Sequence, residues 1–246
     1  MKNTQKIIAL ILCAAISADF TACGNTEDDD NNSAEITSKS VSEQTVGSDD
    51  TDNSAAASTE NSRVLIAYFS VPEDVDTDGV DAVAGASVVV SDGEKLGNIE
   101  YTAKLVQQTV GGELFRIETV QDYPLDHEKL VDFASDEQSA NARPELSSHI
   151  DDLEKYDTVI LGYPNWWGDM PMPVYTFLEE YDFGAKTIIP FTVHGGSGLS
   201  RTVQTISELQ PGAHVSDNTL SISRNDISGA KDEIIAWAES LGIAVQ

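Results

Sequence analysis

Residues 64–70 read Val-Leu-Ile-Ala-Tyr-Phe-Ser. An unbroken apolar run that contains β-branched and aromatic residues predicts a strand buried on both faces, as in a parallel sheet. Three similar runs follow it, and a last segment alternates apolar with polar residues as an edge strand does. These four further strands are predicted at residues 114–117, 158–163, 187–193 and 219–222.

Helical patterns lie between the strands. Apolar residues recur at helical spacing in residues 99–110, shorter patterns cover 174–180, 199–209 and 227–241, and residues 126–153 predict one or two weaker helices. This alternation predicts an α/β fold, a three-layer sandwich around a doubly wound parallel sheet of five strands. Ligands of such sheets bind beyond the carboxyl ends of the strands. The residues that follow each strand are therefore the candidates for a functional site.

Two segments of different composition precede the predicted domain of residues 63–246. In residues 1–22, two lysines are followed by ten apolar residues, too few to span a bilayer as a helix, which predicts an export signal. Cys23 ends a Phe-Thr-Ala-Cys sequence that resembles a bacterial lipobox. The resemblance implies a lipoprotein signal peptide, lipidation of Cys23, and an extracytoplasmic protein anchored by lipid to the cell membrane of a bacterium. Secretion after cleavage behind Ala22 is the alternative.

Residues 23–62 contain ten acids, one lysine and no aromatic residue. Such a segment cannot bury enough apolar area to offset the entropy of ordering, so we predict a disordered acidic tether. An acidic arm that docks a cationic partner is the alternative interpretation.

The whole chain has a formal net charge of -28, which argues against a nucleic-acid partner because a phosphate backbone would be repelled. The predicted domain itself holds 31 acids and 11 bases, so we expect any partner protein to dock through a basic face. Both cysteines, Cys13 and Cys23, precede the domain. With no clustered ligands and no Gly-x-Ser-x-Gly sequence, neither a metal site nor a serine hydrolase is predicted.

Three of the strand ends are rich in glycine and polar residues. Ser70 follows the first strand, and Gly97-Asn98-Ile99-Glu100 opens the first helix. The third strand leads into Pro164-Asn165-Trp166-Trp167-Gly168-Asp169, and the fourth into His194-Gly195-Gly196-Ser197-Gly198. The end of the second strand, residues 121–124, reads as an ordinary turn.

In this order, these loops resemble those of flavodoxins, specifically the flavodoxin-like group with a Tyr-Pro-x-Trp-Trp-Gly loop, and the likeness covers residues 63–246. The resemblance implies strand order 2-1-3-4-5 and one FMN bound without a covalent bond across the ends of the first, third and fourth strands. The cofactor-binding residues it implies are Ser70, Gly97, Asn98, Ile99, Glu100, Pro164, Asn165, Trp166, Trp167, Gly168, Asp169, His194, Gly195, Gly196, Ser197 and Gly198.

For the FMN phosphate, we expect Ser70 and the backbone N–H groups of residues 97–100, at the positive end of a helix, to suffice without a basic residue. Ile99 stands where the family loop usually has threonine, which removes one hydroxyl. Trp166 and Trp167 offer flat apolar faces to the flavin ring, the alternative being that both pack the loop onto the domain. Gly168 allows the adjacent peptide to change orientation.

Residues 195–198 are expected to approach the pyrimidine edge of the ring with backbone groups. His194 is interpreted as a flavin contact, as a proton donor, or as a packing residue at the end of a strand. The other histidines, His127, His149 and His214, have no ligand spacing and are interpreted as surface or loop residues.

An insertion of residues 71–96 separates Ser70 from the glycine that opens the first helix. Residues 87–96 predict a small hairpin folded over the site. The insertion is interpreted either as a lid that limits access or as decoration.

Three functions remain open. The first is an FMN-binding electron-transfer protein, tethered outside the cytoplasmic membrane, that serves redox partner proteins. The second is an FMN-dependent NAD(P)H:quinone-type reductase, so whether the protein is an enzyme is left undecided. The third is a non-redox surface binding module that has lost its flavin. The sequence leaves the oligomeric state open.

Overall fold

The structure is a computed structural model that describes residues 63–243. The signal peptide, the tether and the lipidation site at Cys23, all predicted from the sequence, lie outside these residues. Within the described part of the chain, no helix is long and apolar enough to cross a membrane.

Strands and helices follow the predicted alternation. The strands are β1 (Val64–Tyr68), β2 (Ala82–Val83), β3 (Val88–Ser91), β4 (Glu94–Gly97), β5 (Glu113–Arg116), β6 (Thr158–Pro164), β7 (Thr187–His194), β8 (His214–Val215) and β9 (Leu220–Ser223). The helices are α1 (Asn98–Val110), α2 (His127–Ser139), α3 (Met172–Glu180), α4 (Thr202–Leu209) and α5 (Lys231–Ser240).

The main sheet is parallel throughout and runs in the order β5-β1-β6-β7, with β8 and β9 sharing the outer side of β7. Counting β8 and β9 as one interrupted strand, this is the predicted doubly wound sheet of order 2-1-3-4-5. β8 pairs with Thr187 and Ile188 at the start of β7, and β9 pairs with residues 191–194 at its end.

The interruption of the fifth strand has a local cause in β7. The N–H of Ser216 donates to the carbonyl oxygen of Ile188 at 2.8 Å, so Ile188 directs its backbone groups toward the fifth strand. Pro190, two residues on, faces the same side and has no N–H to offer. Residues 216–219 leave the sheet opposite Pro190, because β7 cannot donate a ladder hydrogen bond at that position.

The sheet is buried on both faces, which explains why β1 is apolar at every position. Ile66 packs on one face with Val106 of α1 and Trp237 of α5. Leu65 packs on the other face with Phe177 of α3. Each such side chain contributes about 1.5–3 kcal/mol when fully buried. The sheet is therefore a rigid platform whose carboxyl edge carries the loops of the candidate site.

The predicted hairpin of the insertion is confirmed. β3 and β4 are antiparallel and joined by Asp92 and Gly93, whose positive φ values of 52° and 83° are those of a two-residue hairpin turn. The structure adds β2, which pairs with β3 to make a three-stranded sheet. β4 runs directly into α1, so the insertion positions the first residue of that helix.

Candidate functional site

A cavity of about 520 Å³ opens at the carboxyl ends of β1, β6 and β7. Pockets for small molecules and cofactors usually measure about 300–1,000 Å³. Eleven of the residues predicted for the site line it: Ser70, Asn98, Ile99, Pro164, Asn165, Trp166, Trp167, Gly168, His194, Gly195 and Ser197. The cavity thus lies at the strand ends where the sequence predicts a site.

The other predicted residues do not line the cavity: Gly97, Glu100, Asp169, Gly196 and Gly198. The carboxylate of Glu100 pairs with Lys104 at 3.3 Å and with Arg116 at 3.7 Å. Asp169 accepts a hydrogen bond from the hydroxyl of Tyr175 at 2.9 Å. The carbonyl of Gly198 accepts from the side-chain amide of Asn165 at 2.8 Å. These groups support the wall.

The contact between Ser70 and Gly97 is possible only because residue 97 has no side chain. A Cβ atom there would lie 2.1 Å from Oγ of Ser70. Gly97 therefore lets the serine hydroxyl, at the end of β1, come beside the first residue of α1. The carbonyl of Ser70 is held in turn by a hydrogen bond from Arg116 at 3.1 Å.

Asn98 differs from its expected role. Its backbone N–H, predicted to be free for a phosphate, donates to the carbonyl of Ser87 at 2.9 Å, because β4 pairs with β3 up to this point. The side-chain amide of Asn98 is instead the distinctive group: the residue is 2% exposed, and neither amide atom has a hydrogen-bond partner in the structure. A buried amide without partners is costly, so it indicates a polar ligand.

The loop after β6 turns at Trp167 and Gly168. The N–H groups and carbonyls of Trp166 and Asp169 bond to each other at 2.9 and 3.0 Å, and the two central residues have φ values of 54° and 81°. A bulky residue with positive φ is strained, and such strain is retained mainly at functional sites. Trp167 is 60% exposed, and its Nε1 donates to the carbonyl of Val131 at 3.2 Å.

The two tryptophans have different surroundings. The ring of Trp166 contacts those of Phe69 and Tyr123, with centroids 5.6 and 5.9 Å apart. Tyr123 lies in the segment expected to be an ordinary turn, and that expectation misses its packing role. Its hydroxyl donates to Glu137 at 2.6 Å, and burial together with that carboxylate raises the pKa of Tyr123. Trp166 is thus anchored in an aromatic cluster, whereas Trp167 is exposed to the cavity.

His194 accepts a hydrogen bond at Nδ1 from the N–H of Gly196, at 2.9 Å. An Nδ1 that accepts carries no proton, so the neutral ring has its proton on Nε2. Burial lowers the pKa of His194 below its ordinary value of 6.5. The geometry therefore favours a neutral imidazole that donates from Nε2 near pH 7 over an imidazolium that supplies a proton.

Two ionisable residues of the wall were not predicted. His127 is exposed, as expected of a surface residue, but its Nδ1 also lies 2.9 Å from a carboxylate oxygen of Glu73, and both residues line the cavity. Glu73 belongs to the insertion and is only 4% exposed. The pair joins segments 54 residues apart, and no local pattern reports such a contact.

The insertion and α2 also supply wall residues that the sequence did not indicate. From the insertion come Val71, Gly85 and Ser87, and from α2 come Leu130, Val131 and Ala134. The insertion therefore forms part of the cavity itself.

Arg224 also lines the cavity, although the predicted loops contain no lysine or arginine. It follows β9, and its N–H donates to the carbonyl of His194 at 2.8 Å. Its guanidinium lies about 3.5 Å from where a Cβ on Gly195 would be. Strand order could have suggested this residue, because the fifth strand lies beside the fourth.

No group of three or more histidine, cysteine, aspartate or glutamate side chains in residues 63–243 is arranged to hold a metal ion.

Comparison of the sequence with models of protein families identifies one family. A sequence model described as flavodoxin matches residues 87–241. None of the curated proteins matches the chain.

Among solved structures, the chain is similar to a candidate flavoprotein from Bacteroides eggerthii DSM 20697, at 25% identity and a TM-score of 0.51, covering 71% of this chain and 98% of that one. A candidate flavoprotein from Bacteroides uniformis ATCC 8492 is 28% identical, with a TM-score of 0.49 and coverage of 69% and 97%. A flavoprotein in complex with FMN from Lactobacillus acidophilus NCFM is 20% identical, with a TM-score of 0.45 and coverage of 70% and 97%.

Proposed function

The chain belongs to the flavodoxin family, and on that premise we propose that it binds one FMN and carries electrons between redox partner proteins. The observation that carries the proposal is the side-chain amide of Asn98, which is buried without a partner at the start of α1. When bound, FMN would supply the transfer of one or two electrons. The protein's own residues would bind it, orient it and shield it.

Ser70, Gly97 and Asn98 form what we call the phosphate end of the cavity. No side chain of the described residues caps the N-terminus of α1, so the first-turn N–H groups that follow Asn98 remain available to an anion. The Ser70 hydroxyl and the Asn98 amide add two further donors. Neutral dipoles of this kind can hold a phosphate dianion in a domain rich in carboxylates.

His194, Gly195 and Arg224 form what we call the ring end. The exposed indole of Trp167 offers a flat apolar face on which the flavin ring would stack. His194 would donate from Nε2 to a ring carbonyl. The backbone near Gly195 would approach the pyrimidine edge, where side chains would obstruct contact.

A second candidate function is an FMN-dependent reductase of a small acceptor such as a quinone. It is favoured by the part of the wall that the predicted cofactor residues do not account for, namely the apolar side chains of α2 and the Glu73–His127 pair. That wall offers an apolar surface and an ionisable pair to a second small molecule.

Purified full chain with excess FMN tests both functions. One FMN per chain, a yellow band and quenched flavin fluorescence are expected. Anaerobic reduction in separate one-electron steps, with no NAD(P)H oxidation by the protein alone, supports the carrier. Oxidation of NAD(P)H with a quinone as acceptor would favour the reductase. A colourless protein would favour the third function, a binding module without flavin.

We also propose where the protein is located and which partners it meets, from the lipidation predicted at Cys23 and from the acidity of the domain. Two or three acyl chains on Cys23 would hold the protein at the outer face of the membrane. A Cys23→Ser variant should then move from the membrane fraction to the soluble fraction, whereas Cys13→Ser should still carry lipid. Electron transfer to a partner with a basic face should slow as salt is added.

A further inference from the structure

Most cations of the domain are paired with carboxylates. Within residues 63–243, four basic side chains have no carboxylate within 4.0 Å: Lys129, Arg201, Arg224 and Lys231. Three of these, Lys129, Arg201 and Lys231, are exposed to solvent and need no carboxylate partner. Arg224 alone of the four is partly buried, and it lines the cavity.

The position of Arg224 is set by its backbone. Its N–H bonds to His194 at the end of β7, and its guanidinium packs against Gly195. His194 is fixed from the other side by the N–H of Gly196. Two donors, Nε2 of His194 and the guanidinium of Arg224, therefore belong to one end of the cavity.

A partly buried guanidinium without an anion is costly, and this domain could have supplied a carboxylate from any of its 31 acids. The missing anion is thus expected from the molecule that fills the cavity. The phosphate end is accounted for by Ser70, Asn98 and the N-terminus of α1. Adjacent strands lie about 4.8 Å apart, so the end of β7 is about 10 Å across the sheet edge from the end of β1.

The acceptor-rich pyrimidine edge of the flavin ring matches the two donors at the ring end. We infer that Arg224 pairs with this edge and holds the negative charge that the ring gains on reduction, so that it favours reduced over oxidised flavin. Uptake of two electrons and one proton, from a reductant such as dithionite and from water, adds one negative charge to the ring. The inference rests on the proposed binding of FMN.

Arg224 thereby opposes the effect of the acidic domain. Thirty-one carboxylates disfavour a negatively charged ring, whereas one cation in contact with it acts at short range and in a partly desolvated place. Arg224 positions the cofactor and adjusts its midpoint potential. Its removal should therefore change the midpoint potential before any change in turnover is seen.

The test compares Arg224→Met and Arg224→Lys with Lys231→Met in the full chain. Lys231→Met is the matched control because it removes an equal charge from an exposed residue outside the cavity. Midpoint potentials are measured by anaerobic dithionite titration, and affinities for oxidised FMN and riboflavin by fluorescence quenching. Circular dichroism checks that each variant is folded.

For Arg224→Met we expect reduced flavin to lose about tenfold more affinity than oxidised flavin, a fall of about 30 mV for a two-electron couple. The fall should occur with riboflavin as well as FMN, Arg224→Lys should restore most of it, and Lys231→Met should cause none.

An unchanged potential in Arg224→Met would overturn the inference, and so would an equal fall in Lys231→Met, which would show a general charge effect. A loss of affinity seen with FMN but absent with riboflavin would place the guanidinium on the phosphate and overturn it too. If the wild-type chain binds no flavin, the proposed function itself fails.

Discussion

At the phosphate end of the cavity, a serine hydroxyl, an unpartnered amide and a helix N-terminus come together, and no lysine or arginine of residues 63–243 lines the wall there. At the ring end, a histidine held neutral by its hydrogen bond lies beside an arginine without a carboxylate partner. One end therefore relies on neutral dipoles and the other on a cation.

The difference follows from how each end is built. The phosphate end lies where β1, the insertion and the start of α1 meet, so it includes a helix N-terminus, whose dipole favours an anion. The ring end lies where β9 pairs with the end of β7, and the guanidinium of Arg224, which follows β9, lies near Gly195. Variants at each end should accordingly affect different properties.

The largest expected effect is that of Gly97→Ala at the phosphate end. The new Cβ would overlap Oγ of Ser70 and force the hydroxyl away. Loss of a hydrogen bond to a charged group costs about 1.5–3 kcal/mol, so FMN affinity should fall about tenfold to a hundredfold. Fluorescence titration measures it. The control is Gly229→Ala, outside the cavity wall, where a Cβ meets nothing within 4 Å and affinity should be unchanged.

Next in size are the two tryptophan variants. Trp166→Ala should lower the free energy of unfolding by about 2 kcal/mol, because the ring is packed on Phe69 and Tyr123. Trp167→Ala should leave stability nearly unchanged and reduce FMN affinity, because Trp167 is 60% exposed and lines the cavity. Denaturant unfolding and flavin titration separate the two. Equal losses of stability would show that both residues only pack the loop.

Asn98→Leu tests the phosphate end in the protein without FMN. Replacing a buried, unpartnered amide by an apolar group of similar shape should raise the stability of the FMN-free protein by about 1 kcal/mol while weakening FMN binding. In Asn165→Leu, which removes hydrogen bonds to Gly198 and Ser200, stability should fall instead. A loss of stability in Asn98→Leu would mean that the amide serves the fold.

The smallest effect is the pH dependence that comes from His194. Because its pKa is lowered in the folded state, the unfolded chain binds more protons just below pH 6.5, and stability should decrease as pH falls through that region. His194→Gln should flatten this slope. Unfolding curves recorded across this range provide the measurement.

Much of this architecture is predictable from the amino-acid sequence. The apolar runs predicted the strands of the sheet, since a strand buried on both faces must be apolar at every position. The Asp92-Gly93 turn predicted the hairpin, since its conformation favours glycine. Strand alternation and the residues at three strand ends located the cavity.

The residues that were missed share one property. Glu73 and His127 meet across 54 residues, and Arg224 reaches the cavity from the end of the fifth strand, which the sequence did not single out. The free N–H expected of Asn98 was lost to Ser87 because the insertion pairs with the segment that starts α1. Each depends on contacts between segments, and these leave no periodicity in the sequence.

Local patterns in the amino-acid sequence are enough to predict the flavodoxin-like sheet, the order of its loops and the neutral character of the phosphate end, because burial, turn geometry and helix polarity act over a few neighbouring residues. Three features emerge only in the folded domain: the exposure of one tryptophan and not the other, the wall that α2 and the insertion give the cavity, and the arginine without a carboxylate partner at the ring end. Those depend on which strands and helices become neighbours, and that is settled by the packing of the whole domain.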